Sequence, residues 1–266
     1  MGRLTLLTTT YNSLTQATHT ALKDKGYQVN ITYAINLTQI QEEIKAFNPQ
    51  IILCPFLKSY LPKEIYENYP TFIFHPAPIG DRGAYSLDYA VFNEEKEWGG
   101  VWLRANELYD GGNIYASGNF EMRESYKASI YRQEMLGVAV SSLDELFENI
   151  ETNNSTSQVL NPIHEPFTQE MRAIDWQKDS TSVIIKKINT SDSLPGVLNE
   201  ILGLKCYLFG VWKEDKFRGK PKEILAKRDG AICLGTLDGA VWISHLKEVG
   251  KFKLPATYVL RDKLKA

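Results

Sequence analysis

Residues 71–85 read TFIFHPAPIGDRGAY. The apolar run at 71–74 is typical of a strand buried on both faces of a parallel sheet. His75 ends this run, and two prolines and two glycines follow within the next eight residues. Ligands of open α/β sheets bind beyond the carboxyl ends of the strands, where proline and glycine suit the sharp turns of a ligand loop. We therefore predict a site at His75, although a single histidine is more often structural or exposed.

Strand and helix signals alternate through the first 150 residues. A strand-like run at 3–9 precedes a helix-like segment at 13–25. Thr38 is a suitable N-cap for a second helix, which ends at Phe47. The other strand-like runs are 27–34, 50–56, 99–106 and 112–120, and the other helix-like segments are 62–69, 86–93 and 126–150. This alternation predicts an α/β fold, with helices on both faces of a parallel sheet.

The composition becomes polar at ETNNSTSQVLNP, residues 151–162, which we interpret as a linker. Beyond it, short strand-like runs flank Asp229-Gly230 and Asp238-Gly239, which are strong hairpin signals. The C-terminal part is therefore expected to be a small β-rich barrel or sandwich, entered through a helix near 180–189. We place the first domain at 1–155, the linker at 156–175 and the second domain at 176–266.

The composition argues against several classes of protein. The chain has 266 residues and a net charge of -2, so it carries no basic surplus for nucleic acid or an anionic membrane. Three distant cysteines, Cys54, Cys206 and Cys233, are expected to be reduced core thiols of a cytoplasmic protein. The sequence contains no bilayer-spanning segment, no zinc-ligand spacing and no glycine fingerprint for a dinucleotide or phosphate.

A second candidate residue lies in ELYDGGNIYA, residues 107–116. Asp110 and the two glycines after it separate two strand-like runs, so a plain hairpin turn explains them. A carboxylate from such a neighbouring loop would also be needed to orient the imidazole of His75. The spacing in the sequence leaves both interpretations open.

The order of these motifs resembles the formyltetrahydrofolate-dependent formyltransferases. The segments that carry the resemblance are HPAPIGDRGAY at 75–85, GGVWLRAN at 99–106, LYDGGNIY at 108–115 and RAIDWQKDSTSVIIKKINTSDSLPG at 172–196. The resemblance implies a Rossmann-like catalytic domain followed by an OB-like C-terminal domain. It also implies 10-formyltetrahydrofolate as the cosubstrate that donates the formyl group.

Within that family, the chain is similar to the N-terminal half of the HypX (HoxX) maturation factors of nickel–iron hydrogenases. CPFLK at 54–58, SIYRQE at 129–134 and AKRDGAICLGTLDGAVWISHLK at 226–247 carry this narrower resemblance. It implies formyl transfer to coenzyme A, followed by release of carbon monoxide for the hydrogenase iron with the help of a crotonase-like half. The implied partners are the folate donor, a small-molecule acceptor, that crotonase-like domain and other hydrogenase maturation proteins, without nucleic acid or membrane.

The resemblance assigns three positions to catalysis. His75 is implied to shuttle a proton, and Asp110 to orient it and to manage protonation of the leaving folate. Ile73 stands where the family has an asparagine, whose amide stabilises the oxyanion on the formyl carbon. Isoleucine donates no hydrogen bond, and loss of one such donor costs about 100- to 1000-fold in rate. A backbone N–H of the loop 76–83 would then have to act instead, or the transfer differs from amine formylation.

The remaining site predictions concern binding of the folate or of its acceptor. For Arg82 a loop-bracing salt bridge is an equal alternative, and for Arg132 the alternative is a solvated helix face. Ser13 is also explained as the cap of the first helix. The predicted binding residues are Asn12, Ser13, Pro78, Ile79, Gly80, Asp81, Arg82, Gly83 and Arg132.

Two other functions compete with formyl transfer of the HypX type. The first is a degenerate formyltransferase fold kept as a folate-binding or partner-docking module, which Ile73 favours. The second is a formyltransferase that acts on a small amine such as a sugar nucleotide. The missing asparagine argues against the second, and the retained His75 and Asp110 argue against the first.

Overall fold

A computed structural model describes residues 2–264. The chain divides into two compact units. The first consists of residues 1–87, 96–123 and 130–165, and the second of 88–95, 124–129 and 166–266.

The first 165 residues form a six-stranded sheet with helices between the strands. Its strands are β1 (Arg3–Thr8), β2 (Gln28–Tyr33), β3 (Ile51–Cys54), β4 (Thr71–His75), β5 (Glu97–Arg104) and β6 (Ile114–Glu121). The strand order is β2-β1-β3-β4-β5-β6. The first four strands are parallel, whereas β5 and β6 are antiparallel to their neighbours. The predicted α/β class is confirmed, with a mixed rather than a purely parallel sheet.

The helices of this part follow the predicted order. They are α1 (Ser13–Asp24), α2 (Leu37–Phe47), α3 (Lys63–Tyr66), α4 (Ser86–Asn93), α5 (Lys127–Ile130), α6 (Leu136–Ser141) and α7 (Leu143–Glu151). The single helix predicted at 126–150 is in fact interrupted by a π-helical turn, Tyr131–Met135, and broken at Ser142. No local breaker residue announces the π-turn, and such turns often occur at functional sites.

Asparagines begin the first two helices. The side chain of Asn36 accepts a hydrogen bond of 2.9 Å from the backbone N–H of Gln39, so the predicted cap at Thr38 is wrong by two residues. Asn12 caps α1 by accepting from the backbone N–H of Thr15 at 3.0 Å. Ser13 is therefore the first helical residue and not the cap. Asn12 and Ser13 are equally common cap types, and the sequence alone does not choose between such neighbours.

The sheet is packed on both faces. On one face, the ring of Phe74 contacts Trp102, whose indole N–H donates to the backbone carbonyl of Ala139 at 3.1 Å. On the other face, Ile73 packs against a cluster that includes Leu7 and other side chains of β1, β3, α2 and α3. Because side chains alternate along a strand, His75 lies on the same face as Ile73.

The second unit is built on an antiparallel sheet. Its strands are β7 (Val197–Ile201), β8 (Leu204–Glu214), β9 (Ile224–Arg228), β10 (Ala231–Gly235), β11 (Ala240–Glu248) and β12 (Lys253–Pro255). The order is β7-β8-β11-β10-β9, and β12 pairs with β11. The accompanying helices are α8 (Gln169–Arg172), α9 (Thr181–Ser191) and α10 (Ala256–Val259). The predicted β-rich C-terminal part is confirmed.

Both predicted hairpins are present in this sheet. Asp229 and Gly230 join β9 to β10 with φ values of 50° and 83°, which suits a type I′ turn. Asp238 and Gly239 lie between β10 and β11. Within residues 2–264, no helix has both the length and the apolar character that a membrane crossing requires.

Candidate active site

His75 is the last residue of β4, and its side chain is buried. Only 4% of the residue is exposed to solvent. Two residues earlier on the same face, Ile73 packs against the cluster of Val101, Leu103 and Ile114 on the neighbouring strands. An imidazole therefore ends a strand whose preceding residue on this face is purely apolar.

The antiparallel course of β5 places Asp110 near His75 by an indirect route. His75 pairs with Val101, and the backbone N–H of Ala105 donates to the carbonyl of Thr71 at 2.9 Å. The strand β5 therefore ends beside the start of β4, and the loop 105–113 must return along the sheet to reach His75. It does so, and Oδ2 of Asp110 lies 3.5 Å from Nδ1 of His75.

The position of Asp110 is stabilised by its own backbone and by two neighbours. Its φ of 48° lies in the left-handed region, which aspartate tolerates better than most residues. Oδ2 accepts a hydrogen bond of 3.0 Å from the backbone N–H of Gly83. The side chain of Gln158 donates to the carbonyls of Asp110 and Gly112 at 3.1 and 2.7 Å. A Cβ on Gly112 would lie 1.7 Å from the carbonyl oxygen of Arg104, so only glycine fits there.

The loop after His75 contains the sharp turn that its composition predicts. The backbone N–H of Asp81 donates to the carbonyl of Pro78 at 3.1 Å, and Gly80 has a φ of 88°. This is the geometry of a type II turn, with proline before and glycine at the position that requires a positive φ. Pro78, Ile79 and Gly80 therefore shape the loop, and Ile79 remains half exposed, at 49%.

A short segment, residues 156–164, lies along this loop, and we call it the strap. Its Gln158 accepts from the N–H of Gly80 at 2.8 Å, and its Asn161 N–H donates to the carbonyl of Gly80 at 3.0 Å. The N–H of His164 donates to the carbonyl of Arg82 at 3.0 Å. The strap thus belongs to the first compact unit, and it covers the loop that borders His75.

Asp81 lies on the opposite side of the imidazole from Asp110. Its Oδ1 is 3.7 Å from Nε2 of His75, which is too long for a hydrogen bond. Its Oδ2 lies 2.8 Å from Nε2 of His164 on the strap. Burial by itself would raise the pKa of Asp81, but His75, the Ser86 hydroxyl and His164 outweigh burial and lower the pKa.

The lowered pKa of Asp81 predicts an acid-sensitive contribution to stability. A carboxyl whose pKa is lower in the folded state stabilises the fold above its unfolded value of 3.8, and loses this effect as the pH falls through the folded value. Asp81→Asn is therefore expected to reduce the free energy of unfolding near neutral pH more than below about pH 3. Urea unfolding at both pH values measures the difference, and an equal reduction at the two would contradict it.

The other predicted binding residues occupy two places. The guanidinium of Arg82 donates through Nε to the carbonyl of Tyr109 at 2.7 Å, so Arg82 braces the two loops around His75.

Asn12 follows β1, which is parallel to β4, and its amide donates to the Tyr131 hydroxyl at 3.4 Å. Arg132 is exposed on the π-helical turn. The structure places Asp110 and Asp81 beside the ring of His75, while Gly83 contacts Asp110 and Arg82 contacts the loop of Asp110. It shows no contact with the ring for Asn12, Ser13 or Arg132 among residues 2–264.

Two residues that contact the site were not predicted from the sequence. His164 and Gln158 lie in a polar stretch that has the composition of a linker. No pattern in that stretch distinguishes a strap across a loop from a solvated connection. Among residues 2–264, no group of three or more His, Cys, Asp or Glu side chains is arranged to hold a metal ion.

Known proteins resemble this chain in sequence and in fold. Residues 166–263 match the family described as formyl transferase, C-terminal domain. Nearly the whole chain, 97% of its length, aligns with 34% identity to hydrogenase maturation factor HoxX of Bradyrhizobium diazoefficiens. The chain is therefore similar to a hydrogenase maturation factor along almost its whole length, and its C-terminal part is similar to the C-terminal domain of formyl transferases. The chain spans about half of that relative, 47% of its length.

Two solved structures show the same fold. The crystal structure of HypX from Aquifex aeolicus in complex with tetrahydrofolic acid superposes with a TM-score of 0.96 and 38% identity, over 100% of this chain and 48% of that one. A methionyl-tRNA formyltransferase from Clostridium thermocellum superposes with a TM-score of 0.64 at 16% identity, over 82% of this chain and 96% of that one. The predicted resemblance to the formyltransferases and to HypX is confirmed.

Proposed function

We propose that this protein moves a formyl group from 10-formyltetrahydrofolate to a nucleophilic acceptor. The observation that carries the proposal is the distance of 3.5 Å between Nδ1 of His75 and Oδ2 of Asp110 at the carboxyl end of β4. A buried carboxylate beside one ring nitrogen orients the imidazole and supports its role as a proton carrier. The HypX relative that was solved with tetrahydrofolic acid supports folate as the donor.

The proposed step uses His75 on both sides of the transfer. The acceptor atom attacks the formyl carbon, and Nε2 of His75 takes the proton that this atom loses. The bond between the formyl carbon and N10 of the folate then breaks, and the same proton passes to N10. Asp110 stabilises the imidazolium that exists between these two events.

Stabilisation of the oxyanion has to come from the backbone, because Ile73 donates nothing. In the loop 76–83, the N–H groups of Ala77, Gly80, Asp81 and Gly83 already donate to protein acceptors. Within residues 2–264, this leaves the N–H groups of Ile79 and Arg82 as the donors in the loop that have no acceptor. We propose that one of them takes the place of the missing amide.

Ile73 is expected to resist replacement by the family's asparagine. Its side chain packs against two apolar clusters, so Ile73→Asn exchanges that packing for a polar amide with no partner. We expect a loss of about 2 kcal/mol in the free energy of unfolding and no gain in turnover. Ile73→Val is the matched control, with an expected loss of about 1 kcal/mol. Urea unfolding compares the two, and a faster, equally stable Ile73→Asn variant would contradict the expectation.

The acceptor and the wider role follow the narrower resemblance. We propose coenzyme A as the formyl acceptor, and supply of carbon monoxide for nickel–iron hydrogenase maturation as the purpose. The name of the HoxX relative supports the link to hydrogenase maturation. In this proposal a crotonase-like domain carries out the steps after formyl transfer, and other maturation proteins receive the product.

Donor binding is the test of this function. The protein is titrated by calorimetry with a stable analogue of 10-formyltetrahydrofolate, beside a His75→Ala variant and a control at a half-buried histidine of α1, His19→Ala. All three are expected to bind, because His75 is proposed to act on the proton and not to hold the folate. Absence of binding to the unmodified protein would refute the proposed function.

A further inference from the structure

The imidazole of His75 has a carboxylate beside each of its nitrogens. Oδ2 of Asp110 lies 3.5 Å from Nδ1, and Oδ1 of Asp81 lies 3.7 Å from Nε2. Nε2 and Oδ1 are both buried, and neither has a hydrogen-bond partner among residues 2–264. Because no hydrogen bond engages Oδ1 or Nε2, this carboxylate oxygen is left facing the ring atom, where it interacts with any positive charge that the ring gains.

Asp81 is held in this position as an anion. The loop that carries it is fixed by the type II turn at Pro78 and by the strap. Its second oxygen is engaged by His164 at 2.8 Å, and its pKa is lowered. A fixed negative charge therefore points at the ring atom that would receive the acceptor's proton.

We propose that Asp81 is a positioning residue of this site, which stabilises the positive charge on His75 when Nε2 takes the proton of the acceptor. His164 holds the carboxylate in place for this purpose. The inference rests on the proposed formyl transfer and adds a residue to it. Opposite charge within about 4 Å favours the charged form of an ionisable group, and burial strengthens the effect.

The carboxylate of Asp81 is also consistent with Ile73 standing where the family has an asparagine. With Ile73 in that place, less of the charge that develops on the formyl oxygen is stabilised by side chains. A ring held between Asp110 and Asp81 accepts the proton more readily, which helps the acceptor to attack. The titratable groups that face the ring are Asp110 from the β5–β6 loop and Asp81 from the β4–α4 loop, with His164 of the strap behind Asp81.

Asp81→Asn in the full chain tests the proposal, because it keeps the shape and removes the charge. Release of tetrahydrofolate from 10-formyltetrahydrofolate is followed with coenzyme A and with water alone as acceptors. We expect kcat to fall about 10- to 100-fold while KM for the donor stays unchanged. Asp81→Glu should recover part of the lost rate, and Asp24→Asn, at an exposed residue of α1, should keep the full rate.

The outcomes separate this inference from the proposed function. An unchanged kcat in Asp81→Asn, beside an active unmodified protein, would overturn the inference and leave the proposed function intact. A weaker donor KM with an unchanged kcat would also overturn it, because Asp81 would then be a donor ligand. If the unmodified protein binds no donor, the proposed function itself fails.

Discussion

Replacement of His75 by glutamine is expected to slow formyl transfer by about 100- to 10,000-fold, which is the usual contribution of a general acid–base group to the rate. The imidazole is the only titratable side chain among residues 2–264 that ends a strand of the sheet and contacts Asp110. Glutamine retains a similar volume in a site that is 4% exposed, so the fold should persist. Donor binding should be retained, since no proton moves on binding. Release of tetrahydrofolate in the presence of coenzyme A measures the effect.

The control for this variant is His19→Gln. His19 is a histidine of α1 whose ring nitrogen contacts the hydroxyl of Tyr11 at 2.8 Å, and it has no part in the site. Its replacement should leave turnover within about twofold, as expected for a surface substitution. Equal rates for the His75→Gln variant and the unmodified protein would remove the catalytic role and leave the folate-binding or docking module as the better explanation.

Asp110→Asn is expected to have the second largest effect, a fall in kcat of about 100- to 1000-fold. The amide keeps the size of the side chain, and its oxygen still accepts from the backbone N–H of Gly83. The negative charge beside Nδ1 is lost, however, so the imidazolium is less stable and the preferred tautomer of His75 is no longer enforced. A loss confined to kcat would show that Asp110 acts through the ring.

Glu107→Gln supplies the matched control for Asp110→Asn. Glu107 lies in the same loop with an exposed side chain, so its charge is screened by solvent and lies outside the site. Turnover of the Glu107→Gln variant should equal that of the unmodified protein. Thermal unfolding of both variants checks the fold, and an Asp110→Asn variant with normal kcat would refute the proposed role of this carboxylate.

Much of the fold could be predicted because its signals are local. The buried run at 71–74 and its neighbours alternate with amphipathic segments, and this pattern defines an α/β sheet. Asp229-Gly230 adopts the turn that these residue types prefer. One error concerned the start of α2. Asn36 and not Thr38 caps this helix, and the choice between two nearby cap residues depends on backbone geometry that the residue types alone do not determine.

The same difference between local signals and distant contacts applies to the candidate site. The position of His75 at the end of a strand followed from its apolar run and from the proline and glycine residues after it. The contact with Asp110 did not, because β5 is antiparallel and its following loop starts at the far end of β4. Only the return of that loop along the sheet closes the distance to 3.5 Å.

The amino-acid sequence by itself determined the order of strands and helices, the β-rich C-terminal part and the imidazole at the end of β4. Only the tertiary structure decided that Asp110 and Asp81 face the two nitrogens of this imidazole, and that His164 reaches Asp81 from the strap. The physical reason is that periodicity and turn preference act over a few residues. Contacts between loops that are 27 or 83 residues apart depend instead on how the whole sheet is assembled.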